Sequence, residues 1–273
     1  MQAATIGFLG AGNMAGAIIH GMLASGFDAA RIQVCDRNEP KRAEFERLGV
    51  IATSDARALV AACDILVLAV KPQVLKSVLE PLAADFQQRR PLVVSVAAGV
   101  SAQSIDRWLG GDFAIVRTMP NTPSLVLTGA TGLFANARVS ASERDQIQEI
   151  FDSVGATLWV DNESDLHAVT AASGSAPAYF FRFMEAMQKA AEQQGLDAAS
   201  AQALIVQTAL GAARMVQDTG QTPAQLRRQV CSPNGTTERA IRSFEADDLD
   251  AMVDRAMQAC RARSIELSEE LAD

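Results

Sequence analysis

Through its first part the chain sets short apolar runs between polar segments; in its second part the apolar positions take up a helical period. Thr5-Ile6-Gly7-Phe8-Leu9 predicts a strand, and Gly10-Ala11-Gly12-Asn13-Met14-Ala15 follows it at once. Met14, Ala15, Ile18, Ile19, Met22 and Leu23 then recur at helical spacing until Gly26 stops the helix. Arg31 to Asp36 predicts a second strand, and the runs Asp64 to Val70 and Leu92 to Val96 predict two more. Their uninterrupted apolar character suits central parallel strands covered by helices on both faces. Ala114 to Arg117, Gly129 to Ala135 and Ala156 to Val160 add further strands, the last two flanking a helix from about Ser142 to Ser153. After Asp161-Asn162-Glu163 the strand pattern stops, and apolar positions such as Tyr179, Phe180, Phe183, Met184 and Met187 keep helical spacing, as do those from Leu204 and from Leu249 onward. The expected fold is α/β, a doubly wound sheet over residues 1–161 followed by an all-α domain over 162–273.

Strand, glycine turn and helix together form the context in which G-x-G-x-x-A binds a dinucleotide, which makes the first domain Rossmann-type. Gly10 makes the tight turn, Gly12 lets a pyrophosphate approach the backbone, and Ala15 packs helix on strand. Asp36 ends the second strand where a ribose-binding carboxylate is expected and favours NAD(H). Arg37 follows it, and Lys41 and Arg42 come one turn later, a basic group able to hold the 2′-phosphate of NADP(H); the two cofactors stay open at this point. Pro72 ends the Asp64 run, leaving Lys71 and the backbone of Ala69 and Val70 at the carboxyl edge of the sheet. Ala97-Ala98-Gly99, small residues beyond the next strand, let a flat ring approach the same crevice. Met119-Pro120-Asn121-Thr122-Pro123 is a loop with two φ angles fixed by proline. Asn121 can offer its amide to cofactor or substrate, or serve the turn itself.

A second seat is expected far along the chain, at Cys231-Ser232-Pro233-Asn234-Gly235-Thr236-Thr237. Pro233 reads as the first residue of a helix with Ser232 as its N-cap. A helix amino end carries roughly half a positive charge; Gly235 clears the approach and Thr236 and Thr237 add hydroxyls, so a small carboxylate can bind without Lys or Arg. An ordinary Ser-Pro helix start with solvated threonines is the alternative reading. A net charge of −8 argues against nucleic acid or an anionic membrane as partner, and no apolar run approaches the ~18 residues of a membrane span. Cys35, Cys63, Cys231 and Cys260 are scattered without CxxC spacing, and only His20 and His167 could help them, so neither a metal site nor a disulfide framework is expected. With no basic amino-terminal region of a signal peptide, a cytoplasmic protein is expected. The helix from Ala201 to Ala213 is apolar around much of its circumference, which predicts burial against other copies in an obligate homo-oligomer.

Gly7-Phe8-Leu9-Gly10-Ala11-Gly12-Asn13-Met14, Ala69-Val70-Lys71-Pro72, Ser95-Val96-Ala97-Ala98-Gly99, Met119 to Pro123, Ser173-Gly174-Ser175-Ala176-Pro177-Ala178-Tyr179 and Ser232 to Thr237 resemble, in order, the pyrroline-5-carboxylate reductases. The resemblance spans nearly the whole chain, and its Ser-Pro, Gly, Thr element is the most specific part. It implies NAD(P)H-dependent hydride transfer to the C=N bond of 1-pyrroline-5-carboxylate, giving L-proline in the last step of proline biosynthesis. It implies that Leu9, Gly10, Ala11, Gly12, Asn13 and Met14 bind the pyrophosphate and that Asp36 and Arg37 lie near the adenosine ribose. Ala69, Val70, Lys71 and Pro72, with Val96, Ala97 and Ala98, would line the nicotinamide side. Ser232, Gly235, Thr236 and Thr237 would bind the substrate, Thr237 at its ring nitrogen as the catalytic contact, with Glu163 near the same pocket. It further implies domain-swapped dimers, often assembled into decamers, whose pocket combines one subunit's nucleotide domain with a neighbour's helices. The chain departs from the family in carrying Asn234-Gly235 where Gly-Gly is common, and Ala56 and Gln229 where some relatives have Asn. Two rivals remain: a 3-hydroxyacid dehydrogenase, which needs a lysine on the first long helix after the boundary although none occurs between Lys76 and Lys189, and a non-catalytic dinucleotide sensor.

Overall fold

The structure, a computed structural model, describes residues 4–272. β1 (Ile6–Leu9) passes through the glycine turn into α1 (Asn13–Ala24), then come β2 (Ile32–Cys35), α2 (Glu39–Glu46), β3 (Ile51–Thr53), α3 (Ala56–Ala62) and β4 (Ile65–Leu68). α4 (Pro72–Leu79) and α5 (Ala83–Arg89) lead to β5 (Leu92–Ser95), α6 (Ala102–Trp108) and β6 (Ile115–Met119), and β7 (Gly129–Ala135), α7 (Ala141–Asp152) and β8 (Gly155–Trp159) complete the sheet. The strands lie in the order β3-β2-β1-β4-β5-β6-β7-β8. All neighbours are parallel except β6 and β7. The strand order reverses beside β1, so the crevice between β1 and β4 is a topological switch point at the carboxyl edge.

The continuous apolar runs are explained by alternation between two cores. Ile6, Phe8, Ile65, Val67, Leu92, Val94 and Val116 belong to one buried cluster, shared with α1 and α7 residues such as Ile18 and Ile150. Leu9, Leu66, Leu68, Val93 and Ile115 belong to the other, with Leu59, Leu75, Phe86 and Ile105 of the helices on that face. Successive side chains of a strand point to opposite faces, so a strand covered twice must be apolar throughout. β3 does not appear among the strands expected from the sequence: it is three residues long, at the sheet edge, with Ile51 exposed. The other strands fall within or close to the expected runs.

After β8 the chain forms α8 (Leu166–Val169), a widened turn over Thr170–Gly174, and α9 (Ala176–Gln193), α10 (Ala198–Thr219), α11 (Pro223–Val230), α12 (Thr236–Ala246) and α13 (Leu249–Glu270). One compact unit comprises the chain up to Pro177 together with the segment from Cys260 onward; the other is Ala178–Ala259. Within the second unit the helices leave large apolar side chains in solvent, with Phe180 65%, Phe181 62% and Leu204 58% exposed. Apolar faces of this extent mark interaction surfaces. Among the described residues no helix is long and apolar enough to cross a membrane, and no group of three or more His, Cys, Asp or Glu residues could hold a metal ion.

Candidate active site

At the carboxyl end of β1, Gly10 has φ +108° and donates its N–H to the Cys35 carbonyl at 2.8 Å. A Cβ there would stand 2.7 Å from the Ala69 carbonyl oxygen, so only glycine fits this turn. Gly12 differs: its backbone is ordinary extended chain (φ −81°, ψ 179°), and an added Cβ would meet only the Ala69 oxygen at 3.9 Å. Its missing side chain therefore leaves open room rather than relieving an internal clash, as a pyrophosphate cradle requires. Gly12 is the N-cap of α1, and no side chain caps that helix. The helices α2, α3, α6 and α7 are capped by Asn38, Asp55, Ser101 and Ser140. The first-turn donors of α1 thus remain available to an anion.

Asp36 sits beside this turn, and each of its oxygens accepts a backbone N–H, Oδ2 from Ala11 at 2.9 Å and Oδ1 from Asn38 at 2.8 Å. The carboxylate braces the glycine turn from the neighbouring strand. Arg42 donates from Nη1 to the Asp36 carbonyl at 2.8 Å, while Arg37 and Lys41 are solvent-exposed. The opposite wall starts at the ends of β4 and β5, where Ala69 N–H donates to the Leu9 carbonyl at 2.9 Å and Val96 N–H to Leu68 at 3.2 Å. Pro72 follows the end of β4 and opens α4, with Lys71 as its N-cap. Val96 is half-buried, Ala97 buried and Ala98 exposed.

Asn121 is buried, and its amide is engaged inside the chain: Oδ1 accepts from Ala130 N–H at 2.9 Å and Nδ2 donates to the Ser173 carbonyl at 3.1 Å. These two bonds join the proline loop to β7 and the widened turn, in keeping with the turn role, the other reading of Asn121. Glu163 receives two donors on Oε1, the Ala102 N–H at 2.6 Å and Arg117 Nη1 at 2.9 Å. Sequence reasoning missed Arg117, whose side chain is only 9% exposed; the available sign was a charge inside the apolar run of β6. His167 Nδ1 lies 2.9 Å from Ser264 Oγ. Burial first, then Arg117 and Arg261, hold its pKa below the ordinary histidine value against the opposing pull of Glu163. That makes it a poor proton donor near neutrality.

In the helical unit the second seat corrects one expectation. Pro233 does not begin a helix and Ser232 is not its N-cap; α12 starts at Thr236 with Gly235 as N-cap. Ser232 to Gly235 form a turn closed by Gly235 N–H donating to the Ser232 carbonyl at 2.9 Å, with Asn234 at φ +60°. Proline second and a left-handed residue third is a turn signature, and Asn tolerates that conformation better than most side chains. The amino end is thus displaced to Thr236 and Thr237, and again no side chain caps it. Glu238, which sequence reasoning did not single out, folds back to accept from Asn234 N–H at 2.8 Å and from Arg242 Nη2 at 3.0 Å. Its four-residue spacing from Asn234 was the available signal.

Comparison with known proteins bears on this pair of uncapped glycine-led helices. Residues 163–267 match the family described as "Pyrroline-5-carboxylate reductase dimerisation", and residues 5–99 match "NADP oxidoreductase coenzyme F420-dependent". A pyrroline-5-carboxylate reductase of Pseudomonas aeruginosa is 46% identical over 99% of this chain and 99% of its own. That of Escherichia coli is 39% identical, covering 97% of this chain and 98% of its own. A solved pyrroline-5-carboxylate reductase of Coxiella burnetii superposes with a TM-score of 0.94 at 45% identity, over 97% of this chain and 98% of that one. The Plasmodium falciparum pyrroline carboxylate reductase with NADP bound gives 0.85 at 28% identity, over 98% and 99%. Similarity at this level along the full length of both chains, joined to the glycine turn and the Ser-Pro, Gly, Thr element, makes the chain a member of the pyrroline-5-carboxylate reductase family.

Proposed function

We propose that this protein reduces the C=N bond of 1-pyrroline-5-carboxylate to give L-proline, the last step of proline biosynthesis, using NADPH. The observation that carries the reading is the pair of helices α1 and α12, each starting from a glycine with no side-chain cap, while α2, α3, α6, α7, α10 and α11 are capped by their own chain. α4, α5 and α8 also lack a side-chain cap, but only α1 and α12 pair a free amino end with a glycine N-cap, which leaves room for an anion, a pyrophosphate at one and a small carboxylate at the other. Leu9, Gly10, Ala11, Gly12, Asn13 and Met14 hold the pyrophosphate, with Asp36 bracing the turn and Arg37 beside the ribose. Ala69, Val70, Lys71 and Pro72 face Val96, Ala97 and Ala98 across the nicotinamide, and Asn121 fixes the loop behind. NADPH, when bound, supplies the hydride to the imine carbon.

The residues of the chain bind and orient. Ser232, Gly235, Thr236 and Thr237 seat the substrate, the free N–H groups of α12 taking its carboxylate and the Thr237 hydroxyl the ring nitrogen, while Glu163 acts near the pocket through its neighbours. A protonated imine is already electrophilic, so correct placement supplies most of the acceleration and no side-chain base is required. We infer that residues 1–161 bind the nucleotide and that 162–273 serve substrate and dimerisation, with the segments up to Pro177 and from Cys260, which belong to the first compact unit, also bracing the nucleotide domain. The chain self-associates; we infer a domain-swapped dimer that assembles further into a decamer, in which one copy's seat serves another's cofactor. The four free cysteines suit the reducing cytoplasm. Oxidation of NADPH that requires pyrroline-5-carboxylate tests the reading; cofactor binding without turnover of any imine would favour a sensor instead.

A further inference from the structure

We infer that Glu163 and Arg117 are positioning residues for the nicotinamide wall, acting through the amino end of α6. The inference rests on the assignment of Val96, Ala97 and Ala98 to that wall. The segment between β5 and α6 is suspended from two anchors. At its start, Ser95 lies opposite Arg117 in the β5–β6 register, and its carbonyl accepts from Thr118 Oγ1 at 3.2 Å while its Oγ accepts from Ala97 N–H at 3.2 Å. At its end, Ala102 N–H donates to Glu163 Oε1 at 2.6 Å, and that oxygen is fixed by Arg117 Nη1 at 2.9 Å. One carboxylate from beyond β8 thus holds the far end of the segment and pairs with Arg117, the register partner of Ser95 at its near end.

The pair is costly to hold and therefore informative. Arg117 is almost fully buried in a strand otherwise apolar on that face, and a buried charge is retained only when paired. Oε1 is committed to the chain itself, at the backbone that leads out of the wall. Support from behind comes from the end of the chain: Leu271 lies 3.1 Å from a Cβ placed on Gly99, and the Ala272 carbonyl accepts from Ser104 Oγ at 3.3 Å.

The test compares two ligands on the full-length protein. NADPH occupies the whole crevice, whereas adenosine 2′,5′-bisphosphate lacks the nicotinamide half. Glu163→Ala is expected to weaken NADPH binding about tenfold, while adenosine 2′,5′-bisphosphate binding stays within about twofold of wild type. Glu163→Gln keeps a carbonyl acceptor for Ala102 but leaves Arg117 without a counter-charge, and is expected to recover part of the loss. Should the alanine variant fail to fold, Glu163→Asp, which keeps the charge but shortens the reach, must show the same split between the two ligands. Equal weakening of both ligands, no weakening of either, or a rise in the pyrroline-5-carboxylate KM alone would overturn the inference. Because both ligand titrations are independent of turnover, a wild-type protein inactive on pyrroline-5-carboxylate would overturn the proposed function and leave this comparison decisive.

Discussion

Gly12→Ala separates cofactor binding from folding more cleanly than any other substitution in the glycine turn. The backbone at Gly12 is ordinary (φ −81°, ψ 179°), and the new methyl would touch only the Ala69 oxygen at 3.9 Å. Loss of fold stability is therefore expected to stay below about 1 kcal/mol, the scale of exchanging one uncapped N-cap residue for another. The methyl instead fills the space through which a pyrophosphate must reach the donors of α1. Losing one charge-assisted hydrogen bond costs about 1.5–3 kcal/mol, which is roughly tenfold to 150-fold in Kd. Fluorescence titration with NADPH, run beside thermal unfolding, reads both quantities. Gly10→Ala is the control with the opposite pattern: φ +108° and a contact of 2.7 Å to backbone predict a loss of about 2 kcal/mol or more in stability. A Gly12→Ala protein that folds normally and binds NADPH as the wild type does would refute the placement of the pyrophosphate.

Thr237→Ala should lower kcat/KM for pyrroline-5-carboxylate about tenfold to a hundredfold through loss of a hydrogen bond to the imine, leaving NADPH affinity unchanged; wild-type kinetics would remove its role. Arg37, exposed beside the braced turn, is expected to favour the 2′-phosphate, so Arg37→Ala should cut the ratio of kcat/KM with NADPH to that with NADH by about tenfold, and an unchanged ratio would exclude it. Cys63 is fully buried, and burial, helped by Asp64 and opposed by Arg89, pushes its thiol up to about 12 from 9.0. The folded state keeps the proton that the unfolded chain gives up, so this contribution to stability is complete below about pH 9 and is lost as pH rises toward 12. Denaturant midpoints across that window should fall less steeply for Cys63→Ala than for wild type; parallel curves would contradict the shift.

Local patterns in the sequence were enough to place most of the sheet and the glycine turn, because strand burial and turn chemistry are written in consecutive residues. Ile6 to Leu9 are apolar since each faces one of two cores, and Gly10 follows since the turn admits nothing larger. β3 escaped because three residues with an exposed Ile51 carry no periodicity. The start of α12 was misplaced because Pro233 suits the first turn of a helix and the second position of a β-turn equally well, and only Asn234, at φ +60°, decides between them. Contacts that are distant in sequence were illegible. Arg117 meets Glu163 across 46 residues, and Asn121 spends its amide on backbone groups 9 and 52 residues away. Nothing beside Asn121 in the chain distinguishes a ligand-facing amide from one that braces a loop.

Hydride delivery to the imine is tested most directly by isotope transfer. Incubation with NADPH carrying deuterium on the reactive face of C4 and with unlabelled pyrroline-5-carboxylate, followed by mass and NMR analysis of the product, should yield L-proline with one deuterium on the ring carbon formerly double-bonded to nitrogen. Unlabelled proline, or no cofactor oxidation that depends on the imine, would contradict it.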